Sequence, residues 1–186
     1  MNQLGQSLKR TVVLLTDKQQ VGYPCLFSKL DIKDVFWRMI ISDENSWNFC
    51  YALPSWYPEA SVDYLRIVIP NSLQMGWYES LPFLCAATYT AQDVIQRLLH
   101  TNLPHHKFEA HVMPLPQEAA TYVNENSDLL SNDTLPEVFI DVFIALTDNL
   151  THSHLLQVSR AILCGINAVF LQLDVTCHNG GDPISE

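Results

Sequence analysis

The sequence has no apolar run approaching the roughly 18 residues that a membrane-spanning helix needs. Its first ten residues, Met1 to Arg10, are polar and lack the apolar block of a secretory signal. These two absences predict an intracellular, non-secreted chain, cytoplasmic or nuclear, with no membrane association. Five cysteines (Cys25, Cys50, Cys85, Cys164 and Cys177) stand singly, odd in number and without CxxC spacing. That pattern fits reduced thiols and argues against a disulfide framework or a zinc site. Seven histidines include no HExxH pattern. His105-His106 and His152-Ser153-His154 read as loop and helix-start residues, because a metal site needs several convergent ligands. Positive charge is also scarce: 10 basic residues face 20 acidic ones, and between Lys107 and Arg160 there are eight acids and no lysine or arginine. Chains that hold nucleic acid carry a basic stripe, so the composition argues against autonomous nucleic-acid binding.

What is present suffices for a folded core. The 186 residues are 48% hydrophobic and 10% aromatic, enough for one buried core or for part of a larger enzyme, and too apolar for global disorder. Residues 4–15 place Leu4, Leu8, Val12 and Leu15 at helical spacing. Ser80 as an N-cap and Pro82 in the first turn predict a helix running to about His100, with an apolar stripe of Phe83, Ala87, Ala91, Val94, Ile95 and Leu98. A third helix is predicted from Ser153 to Phe170 on Leu155, Leu156, Val158, Ile162, Leu163, Ile166 and Val169. Trp47–Leu53 and Tyr64–Ile69 have strand composition and stop at Pro54 and Pro70. Residues 103–135, rich in proline, polar residues and acid, read as a mobile surface insertion.

Three stretches carry chemistry. In Ser28-Lys29-Leu30-Asp31-Ile32-Lys33-Asp34-Val35-Phe36-Trp37-Arg38, alternation puts Leu26, Leu30 and Ile32 on one side of a strand and Phe27, Lys29, Asp31 and Lys33 on the other. Asp31 is then either a solvated strand carboxylate or a metal ligand at a strand end. Leu73-Gln74-Met75-Gly76-Trp77 precedes the capped helix and predicts a tight loop with close backbone approach at Gly76. Val138-Phe139-Ile140-Asp141-Val142-Phe143-Ile144-Ala145-Leu146 sets one carboxylate inside an apolar segment, where it must reach water, a partner or a cation.

Taken in order, the three stretches resemble the palm of reverse transcriptases, the RNA-directed DNA polymerases of retrotransposon Pol polyproteins. The resemblance covers most of the chain and implies an α+β fold, a palm-like antiparallel sheet packed on helices, with incomplete fingers and no thumb. Residues 1–25 would be a remnant preceding the palm, 26–100 the palm with its first aspartate strand and helix, and 136–170 the aspartate hairpin and the helix after it. It implies nucleotidyl transfer with two Mg²⁺ ions, which requires carboxylates that orient both metals. Asp31 and Asp141 would be the catalytic metal ligands, with the Ile32 carbonyl beside them. Asp34 and Val35 would meet the triphosphate through their backbone, Phe36 would crowd a ribose 2′-hydroxyl, and Met75 and Gly76 would line the nucleotide pocket. A template–primer and deoxynucleoside triphosphates are the implied partners, opposed by the net charge of −10.

The sequence departs from that pattern where the family carries two adjacent hairpin aspartates. The second is Val142, which removes a ligand and is expected to force a β-branched residue into a tight turn. Phe139 replaces the usual tyrosine, Val35 a small residue, and Leu81 a proline. The expectation is a catalytically impaired polymerase palm. The alternatives are a non-catalytic interaction module and an unstable remnant of a retroelement.

Overall fold

A computed structural model describes residues 3–21, 25–54, 66–107, 109, 134–149 and 151–170. Most of the 103–135 stretch lies outside the described residues, as does the tail beyond Phe170. The fold is mixed α and β, and the chain divides into two compact units, residues 1–33 with 85–186, and residues 34–84.

The larger unit is built on a three-stranded antiparallel sheet of β1 (Leu26–Asp31), β4 (Thr134–Phe139) and β5 (Val142–Thr147), in the order β1-β5-β4. Register follows from the tight β4–β5 hairpin, whose last pair is Phe139 with Val142. Leu30, Phe143 and Val138 form one cross-strand row, and all three are buried. The alternation expected for β1 is therefore observed, with Leu30 and Ile32 buried and Phe27 and Lys29 exposed.

Helices α1 (Gln3–Val21), α3 (Ser80–Leu98) and α4 (His152–Phe170) complete this unit, α3 starting within the smaller one. Helix α4 buries Leu155, Val158, Ala161, Ile162, Leu163, Ile166 and Phe170. It is capped by Thr151, whose Oγ1 accepts from the His154 N–H at 3.4 Å. His154, near the helix start as expected, places Nε2 2.9 Å from Thr134 Oγ1. Gly165 lets α4 approach α3 closely: a Cβ there would lie 3.1 Å from the Ile95 nitrogen and 3.3 Å from the Ala91 carbonyl oxygen. The buried row of α3 is Leu84, Thr88, Ala91 and Ile95, continued by Leu99 in the turn after it, while Phe83 is exposed. The stripe is thus rotated from the expected one, although Ala91 and Ile95 belong to both.

Helix α1 corrects a second expectation. Leu8 and Val12, the middle of its apolar stripe, are 56% and 51% exposed. The helix instead docks on β4 through polar groups. Ser7 Oγ donates to the Val138 carbonyl at 3.0 Å, and Arg10 forks onto Glu137, with Nη2 to Oε2 at 2.7 Å and Nε to Oε1. Gln92 of α3 donates to the Pro136 carbonyl at 2.8 Å and reaches Glu137 Oε2 at 3.3 Å. Strand β4 lies at the sheet edge, where proline costs no ladder bond and bare carbonyls invite foreign strands. Ser7 and Gln92 occupy those carbonyls, so polar demand outweighs the apolar stripe in choosing the docking face.

In the smaller unit, a 3₁₀ turn (Val35–Arg38) leads to an antiparallel contact in which Ile41 N–H donates to Asn71 at 2.9 Å and Leu73 N–H to Met39 at 2.8 Å. A short helix α2 (Asp43–Ser46) and a 3₁₀ turn (Trp47–Phe49) follow. The strands expected over Trp47–Leu53 and Tyr64–Ile69 shrink to β2 (Tyr51–Ala52) and β3 (Ile67–Val68), a two-stranded ladder. Residues 64 and 65 lie outside the described residues.

Candidate functional site

Asp31 and Asp141 come together at one end of the three-stranded sheet. Asp31 ends β1, where it pairs with Val142, and the Ile32 N–H continues the ladder by donating to the Asp141 carbonyl at 3.1 Å. Asp141 is the second residue of the two-residue β4–β5 turn. Its carboxyl is held above the usual carboxylate range, first by partial burial and then by the charge of Asp31, while its own backbone and Lys29 oppose the shift. The two carboxylates therefore feel one another, and Lys29, two residues before Asp31 on the same strand face, supplies the nearby positive charge.

The turn itself is strained. Of its two central residues Ile140 has φ of 57°, whereas Asp141 is not among the described non-glycine residues with positive φ. A positive φ at the first position alone matches a type II′ hairpin, which favours glycine there. A β-branched residue in that conformation is a steric outlier. The sequence expectation assigned the misfit to Val142. The correction is that Val142 sits in regular β5, paired with both Asp31 and Phe139, and that Ile140 bears the strain.

The other residues singled out from the sequence belong to the smaller unit. Asp34 has left-handed backbone, φ 54°, with its carbonyl accepting from Trp37 N–H at 2.9 Å and no cap bond from its side chain. Val35 is buried, Phe36 half-buried and Met75 exposed. Gly76 has φ of 94°, and a Cβ there would meet nothing within 4 Å. Glycine is thus required at this position for its backbone angle, and the close approach expected there is absent. Ser80 does not act as a side-chain cap either: it is the first residue of α3 and its hydroxyl donates to the Gln74 carbonyl at 2.7 Å.

Two ion pairs were not foreseen. Glu137, counted among the acids that oppose nucleic acid, is 1% exposed and neutralised by Arg10. The local signal in the sequence is the proline at 136, which suits an edge strand. Glu109 accepts from Arg160 (Nη2 to Oε2 at 2.9 Å) and from the His106 N–H at 2.7 Å, and lies 2.9 Å from His105 Nδ1. These bonds, led by that from Arg160, hold its carboxyl well below the usual range.

Among the described residues, no three His, Cys, Asp or Glu side chains cluster as a metal site. No helix there is long and apolar enough to cross a membrane. A comparison with protein-family models finds no match to this chain, and a comparison with curated proteins finds none either.

Proposed function

We propose that this chain is a palm fragment of an RNA-directed DNA polymerase of retrotransposon descent, impaired in catalysis. The observation that supports the reading is the meeting of Asp31 and Asp141, 110 positions apart in the sequence, at adjacent ladder positions of an antiparallel sheet. Two carboxylates and a strand-end carbonyl are oxygen donors of the kind that a hard divalent cation takes. Burial and mutual repulsion at Asp141 favour neutralisation, which a cation supplies as well as a proton does.

On this reading Asp31, Asp141 and the Ile32 carbonyl hold Mg²⁺, which when bound acts as a Lewis acid on phosphoryl and hydroxyl oxygens. The chain's own contribution is positioning: the β1–β5 ladder fixes Asp31 against the hairpin, and the turn presents Asp141. Asp34, Val35, Phe36, Met75 and Gly76 are the proposed nucleotide-contacting residues, and a template–primer and deoxynucleoside triphosphates the proposed partners. With Val142 as the cross-strand partner of Asp31, a third carboxylate is lacking where a second metal needs one.

The test is Mn²⁺ binding followed by electron paramagnetic resonance, beside Mg²⁺-dependent primer extension, for the chain and its Asp31→Asn and Val142→Asp variants. Expected are weak Mn²⁺ binding that Asp31→Asn abolishes, and tighter binding with measurable extension in Val142→Asp. Mn²⁺ binding indifferent to both substitutions overturns the proposal. A second reading, a non-catalytic interaction module, is favoured by the exposed side chains Trp37, Ile40, Trp47 and Met75 of residues 34–84. Metal-independent binding of a protein with no extension by any variant selects it.

A further inference from the structure

Residues 34–84 enclose a cleft of their own, about 660 Å³, lined by Ile40, Ile41, Phe49, Trp77 and Phe83 with Asn48 and Glu79. That volume lies within the roughly 300–1,000 Å³ of ligand-binding clefts. Trp77 contributes the largest side chain to its lining. Phe49 and the indole meet in a T-shaped contact, ring centres 4.7 Å apart at 85°, and Phe83 lies nearly parallel to the indole at 6.3 Å. The rings fix one another, yet Trp77 stays 38% exposed, Phe83 54% and Ile40 83%. An apolar surface so open is an interaction surface more often than a solvated one.

The one charged residue among the described lining residues is acidic. Glu79 lines it, Asp43 and Glu44 stand on α2 beside the lining residues Ser42 and Asn45, and no lysine or arginine contributes to the lining among the described residues. Across residues 34–84 six acids face two arginines. The Glu79 carboxylate has no hydrogen bond or ion pair among the described residues, unlike Glu109 and Glu137. Aromatic faces beside an uncommitted carboxylate suit one side chain above others: the guanidinium of arginine stacks on indole and forks onto a carboxylate, while its methylenes cover apolar surface.

We propose that this cleft docks an arginine-bearing apolar segment of a partner protein, with the guanidinium against Trp77 and paired with Glu79. The proposal uses neither Asp31 nor Asp141 and stands independently of the polymerase reading. A polyanion such as nucleic acid is disfavoured by the same acids.

The test uses the full chain and a fluorescein-labelled, acetylated and amidated peptide, Leu-Arg-Leu-Phe-Arg-Leu, followed by fluorescence polarisation. The expected result is saturable binding with Kd below about 100 μM. Replacing both arginines by the uncharged isostere citrulline weakens it roughly tenfold, as does Glu79→Gln, and Asp31→Asn leaves it unchanged. Glu79 is exposed, so its replacement leaves the fold intact. Equal binding of the citrulline peptide, indifference to Glu79→Gln, or failure to saturate by about 1 mM overturns the proposal.

Discussion

Val142 lies directly across the ladder from Asp31, and cross-strand partners project from the same face of a sheet. On the proposed polymerase reading, this is the position that would hold a further carboxylate, and an apolar side chain fills it. Val142→Asp sets like charges opposite one another and is expected to cost about 0.2–1 kcal/mol in metal-free buffer. Millimolar Mg²⁺ should reverse the loss, because a ligand that binds only the folded state stabilises it. Thermal melts of both chains with and without Mg²⁺ check this; a variant whose melting temperature ignores the metal contradicts it.

Asp141 gives a pH dependence with a defined sign. Its carboxyl is raised above the ordinary value by burial and by Asp31, so the folded state holds the proton more tightly than the unfolded chain does. Its contribution to stability is complete below the unfolded pKa of about 3.9 and is lost as pH rises through the higher folded value. Asp141→Asn removes that loss. The variant is expected to melt higher than the parent at pH 7 and to match it near pH 3, and a lower melting point at pH 7 contradicts the assignment.

Ile140 carries a positive φ that glycine adopts freely. Ile140→Gly should relieve about 1–2 kcal/mol of backbone strain, less roughly 0.5–1 kcal/mol for the added flexibility of the unfolded chain. A small net rise in denaturant midpoint is expected, with an unchanged slope. A clear fall shows that the Ile140 side chain contributes packing that outweighs its strain.

The Arg10–Glu137 pair is asymmetric, since the arginine side chain is 47% exposed and the glutamate 1%. Arg10→Ala leaves a buried carboxylate whose remaining side-chain partner among the described residues is Gln92 at 3.3 Å, and a cost of about 3 kcal/mol is expected. Adding Glu137→Gln should recover much of it, because the uncharged amide needs less compensation. A double-mutant cycle from urea denaturation measures the coupling, and additive losses contradict it.

The sequence showed most plainly the elements in which one periodicity dominates. Leu26, Leu30 and Ile32 alternate with charged residues, and the strand formed where expected, ending one residue earlier. Helix α4, apolar over much of its circumference, was bounded to within a residue at its start. The mixed α and β class followed from these two. Helix α3 was found and its buried face in part: Ala91 and Ile95 are buried as expected, Ala87, Val94 and Leu98 are half-buried and Phe83 is exposed, because the place of the sheet and α4 favours Leu84 and Thr88. On α1 a pattern of leucine and valine pointed to the wrong face, because the polar demand that overrode it sits on β4, more than 120 residues away. The strain depends on where the hairpin turns, and it falls on Ile140, two positions before Val142. Asp31 and Asp141 are joined in the sequence only by the resemblance; the register that brings them together is a property of the folded ladder.

The bond between Ser7 and Val138 spans 131 positions. At the roughly 5–20 residues per second of ribosomal synthesis, α1 waits about 7–26 s before its docking partner has even been made. During that interval its helix can neither cover a strand edge nor pair its arginine with Glu137, and Leu8 and Val12 offer it only non-native company. Strand β1 waits in the same way for β5. The larger unit therefore closes late, and its contacts between distant parts of the chain make it a slow folder by topology.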